Sequence, residues 1–180
     1  MQERSAAELH ALKCELAGEV LRSSGQLRLR VTGWSMLPTI FPGDTVMIES
    51  ADSDCVDKGD IVLFHRDRRL FVHRVSGKSG AARDFQIVTQ GDGMPRPDPP
   101  VSGSQLLGKV SFVVRDGRCL EPAKSLGLSQ RAVAAVVRRS SSAARVIVGV
   151  HKMSRGSQKR ASQKLGSREL ATQEPHPCQS

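Results

Sequence analysis

Apolar and polar residues alternate along much of the first two thirds of the chain, as they do in strands that bury one face. Leu27, Leu29 and Val31 follow this alternation, whereas residues 61–64 form an apolar run typical of a fully buried strand. A tight turn at 66–68 joins that run to the next segment as a hairpin. Six strands are predicted, at residues 27–31, 45–49, 61–64, 70–75, 85–89 and 106–114. The predicted fold is mainly β, a curled antiparallel and barrel-like sheet.

A helical period replaces this alternation near the start of the chain, over residues 5–23. Ser5 and Glu8 have the spacing of a capping box, and Gly25 would end the helix. We expect the helix to pack on its own domain, although a partner-binding or lipid-surface helix is an alternative. Its apolar stripe consists of Leu9, Leu12, Leu16 and Val20.

After residue 121 the pattern becomes helical and then polar. Leu128–Arg139 is helix-like, with Val133, Val136 and Val137 on one side, and a short apolar run follows at 145–150. Ser, Gln, Lys and Arg dominate from residue 152, which predicts disorder. The predicted parts are an N-terminal helix (1–25), a β domain (26–120), a helical segment (121–151) and a disordered basic tail (152–180).

The net charge of +9 is concentrated in the last 50 residues, where ten Lys or Arg face two Glu. A basic segment of this kind can contact an anionic membrane surface, but a solvated, disordered end is the favoured interpretation. We expect no nucleic-acid partner. The chain has no apolar run of the ~18 residues that span a bilayer and no signal-peptide pattern. These features predict a cytoplasmic location or one peripheral to the membrane.

The four cysteines do not suggest a metal site. None forms a C-x-x-C pair, and no histidine lies at a metal-ligand spacing from them. We therefore predict no zinc site, no disulfide framework and no cofactor. The cysteines are Cys14, Cys55, Cys119 and Cys178.

The segment Gly33-Trp34-Ser35-Met36-Leu37-Pro38 is a candidate nucleophile turn. A serine hydroxyl needs a nearby base and a rigid, exposed position to act as a nucleophile. Gly33 would permit unusual backbone angles, and Pro38 restricts the backbone before it. Together they would hold Ser35 at the end of a strand with backbone N–H groups free. Leu37 excludes the G-x-S-x-G elbow, because a second glycine would be needed there.

His73 is the candidate general base. It shares a strand face with Phe71 and Val75, so its ring would lie in apolar surroundings that favour the neutral imidazole. A third group should orient the ring, and both Asp92 and Asp98 lie in a proline-rich loop that could supply it. A structural histidine, a turn-capping Asp92 and a solvated Asp98 are the alternative interpretations.

Four motifs, at residues 35–44, 59–64, 71–75 and 91–93, follow the same order along the chain as motifs of type I signal peptidases, including the mitochondrial inner-membrane peptidases, and resemble them. Ser-Met-Leu-Pro-Thr at 35–39 with Gly43-Asp44 is similar to their nucleophile box, and Phe71-Val72-His73-Arg74-Val75 to their base-bearing strand. Gly59-Asp60-Ile61-Val62-Leu63-Phe64 resembles the strand between them, and Gly91-Asp92-Gly93 their Gly-Asp-Asn box. The resemblance implies the signal peptidase fold and a serine endopeptidase that acts on peptides or proteins, with small residues before the cleaved bond.

The histidine at position 73 selects a subtype. Most bacterial members have a lysine there, whereas the endoplasmic-reticulum and archaeal members have a histidine and a Ser-His-Asp arrangement. The acid in those enzymes follows the Asp of the Gly-Asp-Asn box by about six residues. This spacing implies Asp98 as the acid, with Asp92 as its support or substitute.

Three departures from the family pattern leave alternatives open. Gly33 stands where bacterial members often have a Ser or Thr whose hydroxyl helps to form the oxyanion hole, so backbone N–H groups, that of Ser35 among them, would form it. Gly93 replaces the usual Asn, and the charged, amphipathic stretch 5–23 stands where family members usually have a transmembrane helix. One alternative is a regulatory autoprotease similar to LexA-type repressors, which share the fold but use a Lys base. The other is a binding protein that retained the fold with weak catalysis.

Overall fold

An eight-stranded antiparallel sheet forms most of the computed structural model, which describes residues 2–79, 86–139 and 149. All the described strands and helices lie within Met1–Ala144. The helices are α1 (Gln2–Ser24) and α2 (Leu128–Arg139). The strands are β1 (Gln26–Arg30), β2 (Thr45–Ser50), β3 (Ile61–Arg66), β4 (Arg69–Ser79), β5 (Gln86–Gln90), β6 (Val101–Ser102), β7 (Leu106–Arg115) and β8 (Arg118–Leu120).

The strands are ordered β1-β2-β7-β3-β4-β5-β6, and β8 pairs with β7. All the pairings are antiparallel, and within the described residues the sheet does not close into a barrel. The predicted mainly β class with an antiparallel sheet is confirmed. The short strands β6 and β8 were not predicted, because two or three residues are too few to show an alternating pattern.

Strand β3 is buried on both faces. Ile61 and Leu63 belong to one hydrophobic cluster, whereas Val62 and Phe64 belong to a second cluster, because successive side chains point to opposite faces of a strand. This explains the continuous apolar run at 61–64. On the neighbouring strand β4, His73 lies directly opposite Val62, which places its ring beside the second cluster.

The predicted hairpin between β3 and β4 is confirmed. Its turn residues, Asp67 and Arg68, have φ angles of 48° and 59°. Positive φ at both positions is the geometry of a type I′ turn, whose twist matches that of the flanking strands. The register pairs Arg66 with Arg69, and it continues to Ile61 opposite Arg74.

Helix α1 packs on the domain, but with a different face from the one that its leucine pattern predicts. The buried residues are Ala17 and Leu21, and a Cβ added at Gly18 would lie 3.7 Å from the Leu107 side chain. Small residues therefore bring the helix close to the sheet. The predicted stripe is exposed: Leu9, Leu12, Leu16 and Val20. The helix also begins at Gln2, so Ser5 lies inside it rather than at its N-cap.

Helix α2 has the predicted bounds but a narrower buried face. Ala134 and Val137 are buried, whereas Val136 is 56% exposed. Of the three valines predicted to lie on one side, Val137 is buried, Val133 is partly buried and Val136 is exposed. Three earlier predictions fall outside the described residues: Phe85 in its strand, the apolar run at 145–150 and disorder from residue 152.

Candidate active site

Ser35 lies in the turn that follows β1. The Leu37 N–H donates to the Trp34 carbonyl over 3.1 Å, and the Leu37–Pro38 peptide bond is cis. Met36 and Leu37 are buried and anchor the turn in the core. Within the described part of the chain, the Ser35 N–H donates no hydrogen bond. The two residues after Ser35 are thus fixed in the core, while the Ser35 N–H is free to donate to a substrate oxygen.

Gly33 does not have the backbone role that its position suggested. Its φ lies outside the left-handed region, and a Cβ at this position would have no atom within 4 Å. Other residues fit this conformation, so the expectation that Gly33 supplies unusual backbone angles is wrong. Gly43 is the residue of this loop with a left-handed φ, 98°, and its N–H donates to the Val31 carbonyl.

His73 bridges the candidate nucleophile and a carboxylate. Its Nε2 lies 2.9 Å from Ser35 Oγ, and its Nδ1 lies 2.6 Å from Asp98 Oδ2. The residue is 4% exposed, and its ring lies about 6 Å from the rings of Phe64 and Phe71. Because Nδ1–H donates to Asp98, the neutral ring has its lone pair on Nε2, where it accepts the Ser35 hydroxyl.

Asp98 has a second hydrogen-bonding partner, Thr89, in addition to His73. Thr89 Oγ1 donates to Asp98 Oδ2 over 2.7 Å, and the Asp98 N–H donates to the Thr89 carbonyl. Burial raises the pKa of Asp98, but hydrogen bonds from His73 and Thr89 and the charges of His73 and Arg66 together hold it below its ordinary value. The carboxyl group is therefore ionised at neutral pH and can stabilise a protonated imidazole.

Asp92 has different partners. The Arg74 Nε and Nη2 atoms donate to its two carboxylate oxygens, each over 2.9 Å, and Thr39 Oγ1 also donates to it. Arg74 continues to the carbonyls of Gly59 and Ala123. Of the two aspartates predicted from the proline-rich loop, Asp98 contacts His73, whereas Asp92 ties the loop to β4 and to the nucleophile turn.

Residues 4–90 match the family model described as Peptidase S24-like. The match supports a relationship of this chain to the S24/LexA-like peptidase family. It covers Ser35 and His73 and ends before Asp92 and Asp98. The search of curated proteins found no match to the chain.

Among the described residues, no helix is both long and apolar enough to cross a membrane.

An ion pair between Asp44 and Arg115 holds the loop that follows Ser35. The Asp44 side chain is fully buried and accepts from Arg115 Nη2 over 2.6 Å and from the Phe41 N–H over 2.8 Å. Arg115 also donates to the Thr39 carbonyl. The Gly43-Asp44 part of the nucleophile box thus supports the turn through Phe41 and Arg115.

Sequence reasoning missed four residues that support the site. Arg74 directly follows His73, and a charged residue in an otherwise apolar strand could have suggested a buried ion pair. Thr39 and Thr89 carried no such signal, because a threonine in a turn or a strand is common. The missed residues are Thr39, Arg74, Thr89 and Arg115.

Proposed function

We propose that the chain is a serine endopeptidase of the signal peptidase type, with Ser35 as nucleophile, His73 as general base and Asp98 as the group that orients His73. The observation that carries the proposal is the pair of hydrogen bonds made by one imidazole, 2.9 Å to Ser35 Oγ and 2.6 Å to Asp98 Oδ2. Both distances lie within the range required for proton transfer and orientation.

In the first step, Ser35 Oγ attacks the carbonyl carbon of the scissile peptide bond, and its proton passes to His73 Nε2. Asp98 stabilises the resulting imidazolium through Nδ1–H. The negative charge that develops on the substrate oxygen is stabilised by backbone donors, the Ser35 N–H among them. The imidazolium then protonates the departing amine, and the acyl group stays on Ser35.

In the second step, a water molecule attacks the ester carbonyl while His73 Nε2 takes its proton. The proton returns to Ser35 Oγ as the ester bond breaks, which releases the carboxylic acid product and restores the resting state. No group beyond the serine, the histidine, the aspartate and the backbone donors is needed for this cycle.

The four sequence motifs support the signal peptidase type, and with it a peptide substrate that has small residues before the cleaved bond. The Peptidase S24-like match supports a second candidate, in which the chain cleaves itself. Both share the same reaction at Ser35. They differ in whether the scissile bond lies in another protein or in this chain.

The test uses the full-length chain with a serine-reactive phosphonate probe and a peptide library. Wild type is compared with Ser35→Ala and His73→Ala. His65→Ala serves as the matched control, because His65 lies on the adjacent strand β3 and contacts the Ser104 carbonyl instead of Ser35. We expect labelling at Ser35 and peptide cleavage, both lost in the two site variants and kept in the control.

Each other outcome changes the assignment. Cleavage that persists in both Ser35→Ala and His73→Ala contradicts the mechanism. A product of self-cleavage that forms in wild type but not in Ser35→Ala, at a rate independent of protein concentration, favours the autoprotease. Absence of both labelling and cleavage in wild type favours a binding protein that has lost the reaction.

A peripheral membrane contact is also proposed for the basic segment after residue 121. The exposed Leu128 and Arg131 of α2 support it, because apolar and basic residues on one surface bind anionic lipid. The test is co-sedimentation with anionic and with neutral vesicles at two salt concentrations. Pelleting that requires anionic lipid and falls with salt supports the contact, and its absence removes the proposal.

A further inference from the structure

Helix α2 contacts the loop of residues 91–93, called the GDG loop below. The contact is tight at Gly93, where an added Cβ would lie 3.0 Å from Val137 Cγ1 and 3.2 Å from the Leu37 carbonyl oxygen. Val137 is 2% exposed and Ala134 1% exposed, so this line of α2 is fully covered. Gly93, which departs from the asparagine of the signal peptidase box, leaves the space that Val137 occupies.

Arg138, the residue after Val137, adds a hydrogen bond between α2 and the GDG loop. Arg138 Nε donates to the Asp92 carbonyl oxygen over 3.0 Å. The side chain of Asp92 is already held by Arg74 and Thr39, so Arg138 adds a restraint on the backbone of the loop. Helix α2 therefore holds the GDG loop through both packing and a directional donor.

The GDG loop in turn contacts the nucleophile turn. The Gly93 N–H donates to the Ser35 carbonyl over 2.8 Å, and a Cβ at Gly91 would lie 2.6 Å from the same carbonyl oxygen. Since the loop approaches the Ser35 backbone this closely, a displacement of the loop moves Ser35. Val137 thus contacts Gly93, Arg138 contacts the adjoining Asp92, and Gly93 contacts Ser35.

We propose that Val137 and Arg138 are positioning residues, which hold Ser35 Oγ within reach of His73 by fixing the GDG loop. The inference rests on the proposed function, and it assigns a role in catalysis to a helix outside the residues that match the peptidase family. A displacement of a reacting atom by about 1 Å can lower a rate by about 10²-fold, so a small shift of this loop is sufficient.

The experiment compares Val137→Ala and Arg138→Gln with matched neighbours on the exposed face, Val136→Ala and Arg139→Gln, in the full-length chain. The rate of probe labelling at Ser35 and, for a cleaved peptide, kcat and KM are measured below the onset of unfolding. We expect labelling and kcat to fall by about 10- to 10²-fold in the first pair, with KM within about 2-fold. The second pair stays within about 2-fold of wild type on both readouts.

A double-mutant cycle keeps the proposal testable if a single variant loses stability. Gly93→Ala places a Cβ against Val137 Cγ1, and Val137→Ala removes that atom. We expect Gly93→Ala to slow labelling and the combination with Val137→Ala to be less harmful than the sum of the two. Additive effects contradict a contact-mediated role, as does full activity in both Val137→Ala and Arg138→Gln.

The nitrogen-15 spectrum of His73 separates the failure of this inference from the failure of the proposed function, because it needs no activity. If Ser35 is inactive in wild type, the function fails, whereas a changed His73 Nε2 resonance in Val137→Ala and not in Val136→Ala still supports positioning. If wild type is active and neither the spectrum nor the labelling rate changes in Val137→Ala and Arg138→Gln, the positioning role is overturned.

Discussion

The Thr89 hydroxyl and the His73 imidazole donate to the same atom, Asp98 Oδ2, over 2.7 Å and 2.6 Å. Thr89 is fully buried on β5, and its carbonyl also accepts the Asp98 N–H. A strand residue therefore fixes both the backbone and the carboxylate of the loop residue Asp98. Thr89 thereby sets the direction from which the carboxylate meets the imidazole.

Thr89→Val is expected to raise the pKa of Asp98, because it removes one of the hydrogen bonds that lower it. The stability that the ionised carboxylate contributes is then lost at a higher pH during acidification. The loss of the buried Thr89 hydroxyl as a hydrogen-bond donor should also lower the free energy of unfolding at pH 7 by about 1–3 kcal/mol. Carbon-13 NMR titration and urea unfolding check this, with Thr89→Ser as the control that keeps the hydroxyl. An unchanged Asp98 titration in Thr89→Val would contradict it.

Asp98→Asn and Asp92→Asn should separate orientation from support. An asparagine at 98 cannot stabilise the imidazolium, so the labelling rate at Ser35 should fall on the order of 10³- to 10⁴-fold with the fold retained. Asp92→Asn leaves the largely covered Arg74 without its ionic partner, and its main effect should be a loss of about 3–5 kcal/mol in unfolding free energy. Labelling rates and urea unfolding of both variants check the assignment. A larger rate loss in a folded Asp92→Asn would reverse it.

Gly33→Ser should be tolerated and should increase the rate. The added Cβ meets no atom within 4 Å and the φ is ordinary, so the free energy of unfolding should change by less than about 0.5 kcal/mol. A hydroxyl placed two residues before Ser35 resembles the oxyanion donor of the bacterial signal peptidases. We expect a rise of up to about 10-fold in kcat, since one such donor can contribute about 10²-fold. Gly33→Ala is the control, and equal rates for both variants would exclude a role for the hydroxyl.

Asp60 should contribute to stability only above acidic pH. Burial raises its pKa, but the Asp57 N–H and Lys109, together with the charge of Lys124, lower it below the ordinary value. A lowered folded-state pKa means that its stabilisation is complete above about pH 4 and is lost as the pH falls through the folded-state value. Urea unfolding of Asp60→Asn should therefore show a loss of about 1–3 kcal/mol at pH 7 that shrinks at lower pH.

The exposed Asp57 supplies the matched control for that titration, since its side chain is 69% exposed and its nearest lysine nitrogens lie 3.7 and 3.8 Å away. Asp57→Asn should change the unfolding free energy by less than about 1 kcal/mol at either pH. An Asp60→Asn deficit that stays constant between pH 7 and pH 3 would show that the carboxylate charge does not stabilise the fold.

Arg115→Met should be strongly destabilising, because it removes the Arg115 guanidinium from the fully buried Asp44 carboxylate. Breaking a buried pair on one side costs about 3–5 kcal/mol, and Arg118→Met on the exposed strand β8 should cost less than about 0.5 kcal/mol. Urea unfolding at pH 7 measures both. Equal stability of the two variants would mean that the Asp44 pair does not hold the nucleophile loop.

The strands and the hairpin could be predicted because their signals are local. The alternation at 27–31, the apolar run at 61–64 and the turn at 66–68 reflect side-chain periodicity and turn geometry, which depend on neighbouring residues only. The face of α1 could not be predicted in the same way. Two apolar lines run along that helix, and the one with small residues packs because it allows the closer approach to the sheet.

The partners of Asp92 and Asp98 could not be predicted from the sequence for the same reason. Ser35, His73 and both candidate acids follow from residue types and motif order along the chain, which are properties of the sequence. Which carboxylate meets His73 depends on the path of the loop between Gly91 and Asp98. That path is set by Thr89, by Arg74 on the neighbouring strand and by Thr39 of the nucleophile turn, and the last two are distant from the loop in the chain.

Local residue order was thus sufficient for the β class, the hairpin and the set of candidate reactive groups. The fit of Val137 into the space at Gly93 and the two hydrogen bonds of the His73 ring required the folded chain. Residues from segments 25 to 44 positions apart meet in these contacts, and their distances follow from the close packing of separate elements, which a pattern of neighbouring residues does not encode.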